Sequence, residues 1–313
     1  MYSTLYALNC FSVAVSLLLR IRLALRCGAG LSRRLYTADS STYTLDCLKS
    51  RGSELLPLIV VASGKGGVTK TTTTYALGAA LRELGEEPVL LDLDPGASLT
   101  ENAGLIADGT HALDLLEGRG TVESLSAPTT DEIPLIPGTG DLLASNGDRT
   151  QLIAWAERLR AAAATTLLVA DTAQGLGLPA TRAALLAADY IVVPMQAEPA
   201  VIKRSYPDVL ALLRLFRGDP ELRPRFPLSP SLLFVLTKHN NRLGLTRHEL
   251  DKLAKEGVQI AAYVPTGVAA AEACLSGKSV VTYAPRSPVA QGYRDLARTL
   301  IAAMNSRKIE VAS

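Results

Sequence analysis

Histidine and cysteine are both scarce. Three histidines in 313 residues leave little from which to build an imidazole metal centre. Of the four cysteines, Cys10, Cys27 and Cys47 fall in the first 50 residues, no two form a CxxC pair, and only Cys274 serves the rest. A disulfide framework or thiolate-held cluster in the body is thereby excluded, and a reduced cytosolic protein is expected. Also missing are repeats at roughly 20–50 residues and any Pro/Ser-rich linker beyond residue 54, so one domain is the economical reading. Nor does charge of one sign dominate. The net charge of +2 conceals two unlike parts: residues 1–53 carry seven basic and two acidic side chains, leaving 25 basic against 28 acidic for 54–313. A slightly acidic body has no bulk attraction for polyanions, so affinity for nucleic acid requires a local patch.

Residues 1–53 read unlike the remainder. Leu5 to Leu19 is an uncharged, mostly apolar run of 15 residues, short for a bilayer-spanning helix. A secretory signal places positive charge before its apolar run, whereas here the arginines follow; an Arg-rich, acid-poor stretch also suits a transit peptide or a membrane-surface helix. The reading preferred is a leader of doubtful status, disordered or due to a mis-assigned start. After Met1 the next methionine is Met195, so a shorter product would begin at another codon, for example at Leu48 or Leu55.

With 48% hydrophobic and 20% charged residues, the chain has the make-up of a large α/β domain. Apolar runs predict strands at Leu58–Ala62, Pro88–Leu91, Ile133–Ile136, Thr166–Ala170, Tyr190–Val193, Ser231–Leu236 and Val258–Ala262. Helical stretches lie between them at Thr72–Leu84, Thr150–Ala164, Ala180–Ala187, Ser205–Phe216, Thr246–Lys255 and Pro288–Ala303. Strands alternating with helices, several of them apolar throughout, imply a single three-layer α/β domain over 54–313: a mostly parallel twisted sheet covered on both faces.

The first strand runs into Ser63-Gly64-Lys65-Gly66-Gly67-Val68-Thr69-Lys70-Thr71-Thr72, and a helix follows at once. Glycines let backbone N–H groups converge on phosphate oxygens, and the helix N-terminus adds its positive end. Lys70 can reach the β- and γ-phosphates and the Thr71 hydroxyl can ligate Mg²⁺. Thr69 stands where the common phosphate-loop motif has its second glycine, and a second lysine, Lys65, sits near the loop's start. The plainer alternative is a Gly-rich turn with incidental lysines. Two further pieces fit the first reading. Leu90-Leu91-Asp92-Leu93-Asp94-Pro95 places carboxylates at the carboxyl end of the second strand, where α/β sheets bind ligands. There Asp92 and Asp94 share a strand face and suit either the hydrolytic water or magnesium's water shell. Leu167-Leu168-Val169-Ala170-Asp171 has the form of a Walker B strand.

The K-G-G-x-x-K-T loop with L-D-L-D-P resembles the deviant Walker-A ATPases of the ParA/MinD superfamily. Ala187-Ala188-Asp189-Tyr190-Ile191-Val192-Val193-Pro194-Met195-Gln196, Ala271-Glu272-Ala273, Tyr283-Ala284-Pro285-Arg286-Ser287 and Gln291-Gly292-Tyr293-Arg294-Asp295-Leu296-Ala297 narrow the resemblance to ParA-type partition ATPases of the Soj kind, over about 55–305. The resemblance implies a slow, Mg²⁺-dependent ATPase. Its Gly64, Lys65, Gly66, Gly67, Val68, Thr69, Lys70, Thr71 and Thr72 would hold the nucleotide, with Thr71, Asp92 and Asp171 about the metal. Asp94 would position the hydrolytic water. Lys65 would reach across a two-fold interface, so that ATP is sandwiched in a homodimer. It further implies nonspecific binding of double-stranded DNA, stimulation by a ParB-like centromere-binding protein, a cytoplasmic, nucleoid-associated location and no stable membrane association.

Three departures from the family pattern stand out: Gly96 replaces a glutamine, Ala173 replaces a proline, and Pro265–Ala269 lacks arginines. DNA contacts therefore fall to Lys238, Arg242 and Arg247, with Lys203 and Arg204 in reserve; by analogy with the family it resembles, Thr237 and Pro265 are the candidates for reading adenine. Iron–sulfur relatives need paired cysteines, which the body lacks. The alternative is a MinD-like or other deviant Walker-A ATPase positioning a protein or membrane cargo, although the tail Ser306–Ser313 is short and carries Glu310.

Overall fold

A computed structural model describes residues 56–106, 109–196, 206–226, 229–239, 251–255 and 258–312. In chain order the elements are β1 (Leu58–Val61), α1 (Lys70–Glu83), β2 (Pro88–Leu93), α2 (Ser98–Asn102), α3 (Ala112–Glu117) and α4 (Val122–Leu125). Next come β3 (Ala127–Pro128), β4 (Pro134–Ile136), a 3₁₀ turn (Gly140–Ala144), α5 (Arg149–Ala163), β5 (Leu167–Thr172), α6 (Pro179–Ala187) and β6 (Tyr190–Gln196). The chain continues through α7 (Pro207–Gly218), α8 (Leu222–Arg225) and β7 (Ser231–His239), then β8 (Ile260–Pro265), α9 (Ala269–Leu275), α10 (Val280–Tyr283) and α11 (Pro288–Ala312).

The strands form one 8-stranded sheet in the order β3-β4-β2-β5-β1-β6-β7-β8. Every pairing is parallel except the short edge pair of β3 with β4. All four residues of β1 are buried, as a strand covered on both faces requires. One face packs on α3, α5, α6 and α7 through a core that includes Leu116, Trp155, Leu159 and Phe216. The other packs on α1 and α11 through Tyr75, Leu77, Leu81, Tyr293 and Leu300. Helix α1 is rich in Thr and Ala and is buried over most of its length. Helix α5 starts where the Asp148 carboxylate accepts the Gln151 N–H at 2.8 Å. Pro179 opens α6, where its missing N–H costs nothing.

The predicted strands are all present, and β2, β5, β6, β7 and β8 run on past their predicted ends. β2 continues through Leu93 and β5 through Thr172, so Asp92 and Asp171 lie within the ladder as register partners rather than beyond its end. Both side chains are fully buried, whereas Asp94 falls past the strand and is half-buried. From β1 the chain crosses to β2 on one side, while β6 flanks β1 on the other. The loop leaving β1 thus sits where strand order reverses, the place such sheets keep for ligands.

Candidate functional site

The loop from Ser63 to Thr69 is shaped by two left-handed residues, Gly67 (φ 72°) and Thr69 (φ 71°). Glycine adopts that backbone freely, while a β-branched threonine does so under strain. The following turn closes by the Thr73 N–H donating to the Thr69 carbonyl at 2.8 Å, which commits the chain to α1. The strand ends on either side brace the loop. The Gln196 Nε2 donates to the Gly67 carbonyl, the Thr237 hydroxyl lies 3.5 Å from the Val68 carbonyl, and the Thr172 hydroxyl donates to the Val61 carbonyl at 2.8 Å.

Lys70 is the first residue of α1 and only 8% exposed. Burial lowers its ammonium pKa, while Asp171 and Asp94 pull it back up. Asp171 accepts hydrogen bonds from the Thr71 hydroxyl (2.7 Å) and the Thr74 hydroxyl (3.1 Å). Asp92 accepts from the Asp94 N–H (3.1 Å) on one oxygen, and from the Thr100 N–H (2.9 Å) and hydroxyl (2.7 Å) on the other. Burial pushes both carboxyls well above their ordinary range, and the negative charge of Asp92 raises Asp171 further. Beyond the strand, the Asp94 Oδ1 accepts the Gly96 N–H at 2.9 Å, which fixes the turn after β2.

This set can grip a polyanion. Lys70 opens α1, whose first N–H groups have no side-chain cap, and a helix start that carries an ammonium suits bound phosphate. The Thr71 hydroxyl spends its proton on Asp171, leaving its oxygen lone pairs for a cation. Among the described residues no group of three or more His, Cys, Asp or Glu side chains could hold a metal ion. One hydroxyl backed by one carboxylate instead fits Mg²⁺, which brings water and phosphate oxygens as most of its ligands.

The structure gathers Gly64, Lys65, Gly66, Gly67, Val68, Thr69, Lys70, Thr71 and Thr72 around this mouth, with Asp171 beneath them and Asp94 beside them. Lys65 is exposed at the rim. Two residues occupy other places than the sequence suggested. Asp92, expected near the metal, has both oxygens engaged and ties Thr100 to the turn that carries Asp94. Thr237, expected at adenine, is 1% exposed and braces Val68 from within the wall. Pro265 is half-buried at the end of β8, and Lys238 is exposed near the end of β7. Lys203, Arg204, Arg242 and Arg247 lie outside the described residues. Sequence reasoning gave no role to Thr74, Thr100 or Gln196. Thr74 was within reach of it, since a hydroxyl three residues beyond Thr71 shares its helix face.

Residues 59–280 match the family described as the CobQ/CobB/MinD/ParA nucleotide binding domain. The chain is 35% identical over 249 residues to the chromosome-partitioning ATPase Soj of Thermus thermophilus, covering 78% of this chain and 95% of that protein. It is 30% identical over 254 residues to the sporulation initiation inhibitor protein Soj of Bacillus subtilis, covering 78% of this chain and 98% of that one. Among solved structures, the septum site-determining protein MinD of Pyrococcus horikoshii, complexed with Mg-ADP, superposes with a TM-score of 0.60 at 23% identity, over 78% of this chain and 96% of that one.

Proposed function

This chain belongs to the CobQ/CobB/MinD/ParA family of nucleotide-binding ATPases, and from that premise we propose that it is an ATP-driven dimerisation switch that binds DNA nonspecifically and partitions chromosome or plasmid copies. ATP supplies the phosphoanhydride whose cleavage resets the switch, and Mg²⁺ neutralises phosphate charge. Lys70 and the N–H groups of the loop bind the phosphates; the Thr71 hydroxyl takes the metal, with Asp171 holding that hydroxyl in place. Asp94, fixed by the Gly96 N–H, orients the hydrolytic water.

The observation that carries the dimer reading is the exposure of Lys65 at the rim of a loop whose other lysine is buried. Among the described residues no carboxylate pairs with Lys65, so its charge is available to phosphate held by a second copy. Lys203, Arg204, Lys238, Arg242 and Arg247 supply the DNA contacts, a ParB-like protein stimulates hydrolysis, and the protein works on the nucleoid in the cytoplasm. The partition role rests on the Thermus thermophilus chromosome-partitioning relative rather than on the fold. Among the described residues no helix is long and apolar enough to cross a membrane. Helix α11 is tied to the sheet at Arg307, which donates to the Asp189 carbonyl at 2.9 Å and lies 5.6 Å from the centre of the Tyr190 ring.

Co-sedimentation of the full chain with DNA, in ATP, in ADP and without nucleotide, tests the proposal. Binding is expected only with ATP, with a steep loss on adding salt, and it disappears in Lys65→Ala. Binding indifferent to nucleotide, or absent in all three conditions, overturns the DNA switch in favour of a protein or membrane cargo.

A further inference from the structure

Gln174 has no part in the machinery above, yet its side chain lies directly against the loop. A Cβ placed on Gly66 would fall on the carboxamide of Gln174, so residue 66 has to be glycine for that contact to exist. Gln174 is exposed and stands just beyond the end of β5. That strand has β1, the source of the loop, on one side and β2, the source of Asp94, on the other. In the β2–β5 register Leu93 faces Thr172, so the next residues out are Asp94 on one strand and Ala173 on its neighbour, with Gln174 following. Gln174 therefore leaves the sheet between the exposed stretch of the loop and the turn that carries Asp94. Lys70 feels the charges of both Asp94 and Asp171.

A carboxylate only accepts hydrogen bonds, whereas a carboxamide both donates and accepts at a fixed spacing. In ATP hydrolysis a water oxygen bonds to the γ-phosphorus, the bridging P–O bond breaks, ADP leaves with that electron pair, and the water gives up a proton. Asp94 can take the proton, but an acceptor alone leaves the lone pair of the water free to rotate away from phosphorus. We infer that Gln174 orients the hydrolytic water, donating to its oxygen and accepting from its second hydrogen while Asp94 faces the first. This rests on the reading of the site as an ATPase. The contact with Gly66 sets the reach of the carboxamide, and its exposure leaves it free to turn toward the water.

The test measures single-turnover phosphate release, KM and fluorescent-ATP affinity for the full chain, Gln174→Ala and Gln174→Glu. The Ala variant is expected to lose about 10- to 100-fold in kcat, the cost of a mis-aimed reactant, with KM and affinity changed less than about twofold. Gln174→Glu keeps the shape but loses the donor, and is expected to fall as far. Unchanged kcat in Gln174→Ala, wild-type kcat in Gln174→Glu, or affinity falling in step with kcat overturns the assignment. If the unmodified chain binds ATP and releases no phosphate, the ATPase reading itself falls and takes the inference with it. If the unmodified chain releases phosphate and Gln174→Ala does so equally fast, the inference alone falls.

Discussion

Lys65 and Lys70 belong to one short loop, yet they occupy opposite environments. Lys70 forms the floor, 8% exposed, with Asp171 and Asp94 close enough to support its charge, above a carboxyl pair wholly withdrawn from water. Lys65 stands at the rim, exposed, where no described carboxylate pairs with it. A buried ammonium survives only where fixed partners offset its lost hydration, so the floor is complete within one chain. The rim has no such closure. Lys65, Gly96 and Gln174 are exposed there and acquire a purpose only when something arrives. The floor binds, and the rim responds to what is bound.

Substituting each lysine separately tests that division most directly. Lys70→Ala removes a charge-assisted contact that substrate meets on arrival. Nucleotide affinity is expected to fall about 100-fold, corresponding to roughly 3 kcal/mol, and hydrolysis with it. Lys65→Ala should leave affinity within about twofold while turnover falls on the order of 10³-fold, the scale of a cation supplied in trans. Calorimetric titration with a non-hydrolysable analogue, run beside phosphate release, separates the two. Equal losses of affinity in both variants would erase the distinction between floor and rim.

Asp171→Asn probes the floor from below. The carboxylate that orients Thr71 is lost, so half-maximal activity should require about 10- to 100-fold more Mg²⁺. The same variant carries a pH signature. Because burial raises the Asp92 and Asp171 pKa values in the folded state, the folded chain holds more protons than the unfolded chain above about pH 4. Stability contributed by the pair is therefore present at low pH and lost as pH rises toward neutrality. The nucleotide-free protein should lose ground to Asp171→Asn in thermal melts as pH is raised through that window. Parallel melting curves for the two would show that the pair is no more protonated folded than unfolded.

The floor was legible in the sequence because its parts are local: a glycine loop, a lysine and a hydroxyl adjacent in the chain, and an aspartate closing an apolar strand. The sheet was legible for a similar reason, since strands buried on both faces announce themselves by composition. Other features were out of reach. Helices α2, α3 and α4 are only 5, 6 and 4 residues long, too short to display a period. β3 has two residues. Asp92 looked like a metal ligand because strand spacing says nothing of Thr100, whose N–H and hydroxyl occupy it. Thr237 looked available to a base because its burial beneath Val68 depends on the parallel pairing of β6 with β7. No pattern marks Gln174 either, since its meaning comes from contact with Gly66 across the sheet end.

The smallest expected effect lies at the joint between the two regions. Thr69 ends the rim and precedes the first floor residue, and its left-handed backbone (φ 71°) costs a β-branched residue roughly 1–3 kcal/mol. Thr69→Gly removes that cost, at a penalty of about 0.5–1 kcal/mol for the greater freedom of glycine in the unfolded chain. The substitution also gives up a hydroxyl that donates to the Val68 carbonyl and meets the hydroxyl of Tyr293 on α11. Tyr293 is fully buried and bonds Thr73 as well, at 3.3 Å, so α11 holds the start of α1 through two threonines. If relief of backbone strain outweighs that attachment, urea unfolding should show Thr69→Gly more stable by about 1 kcal/mol or less. A destabilisation of similar size would mean that the Tyr293–Thr69 contact, more than backbone geometry, sets the angle at which the exposed lysine is presented above the buried one.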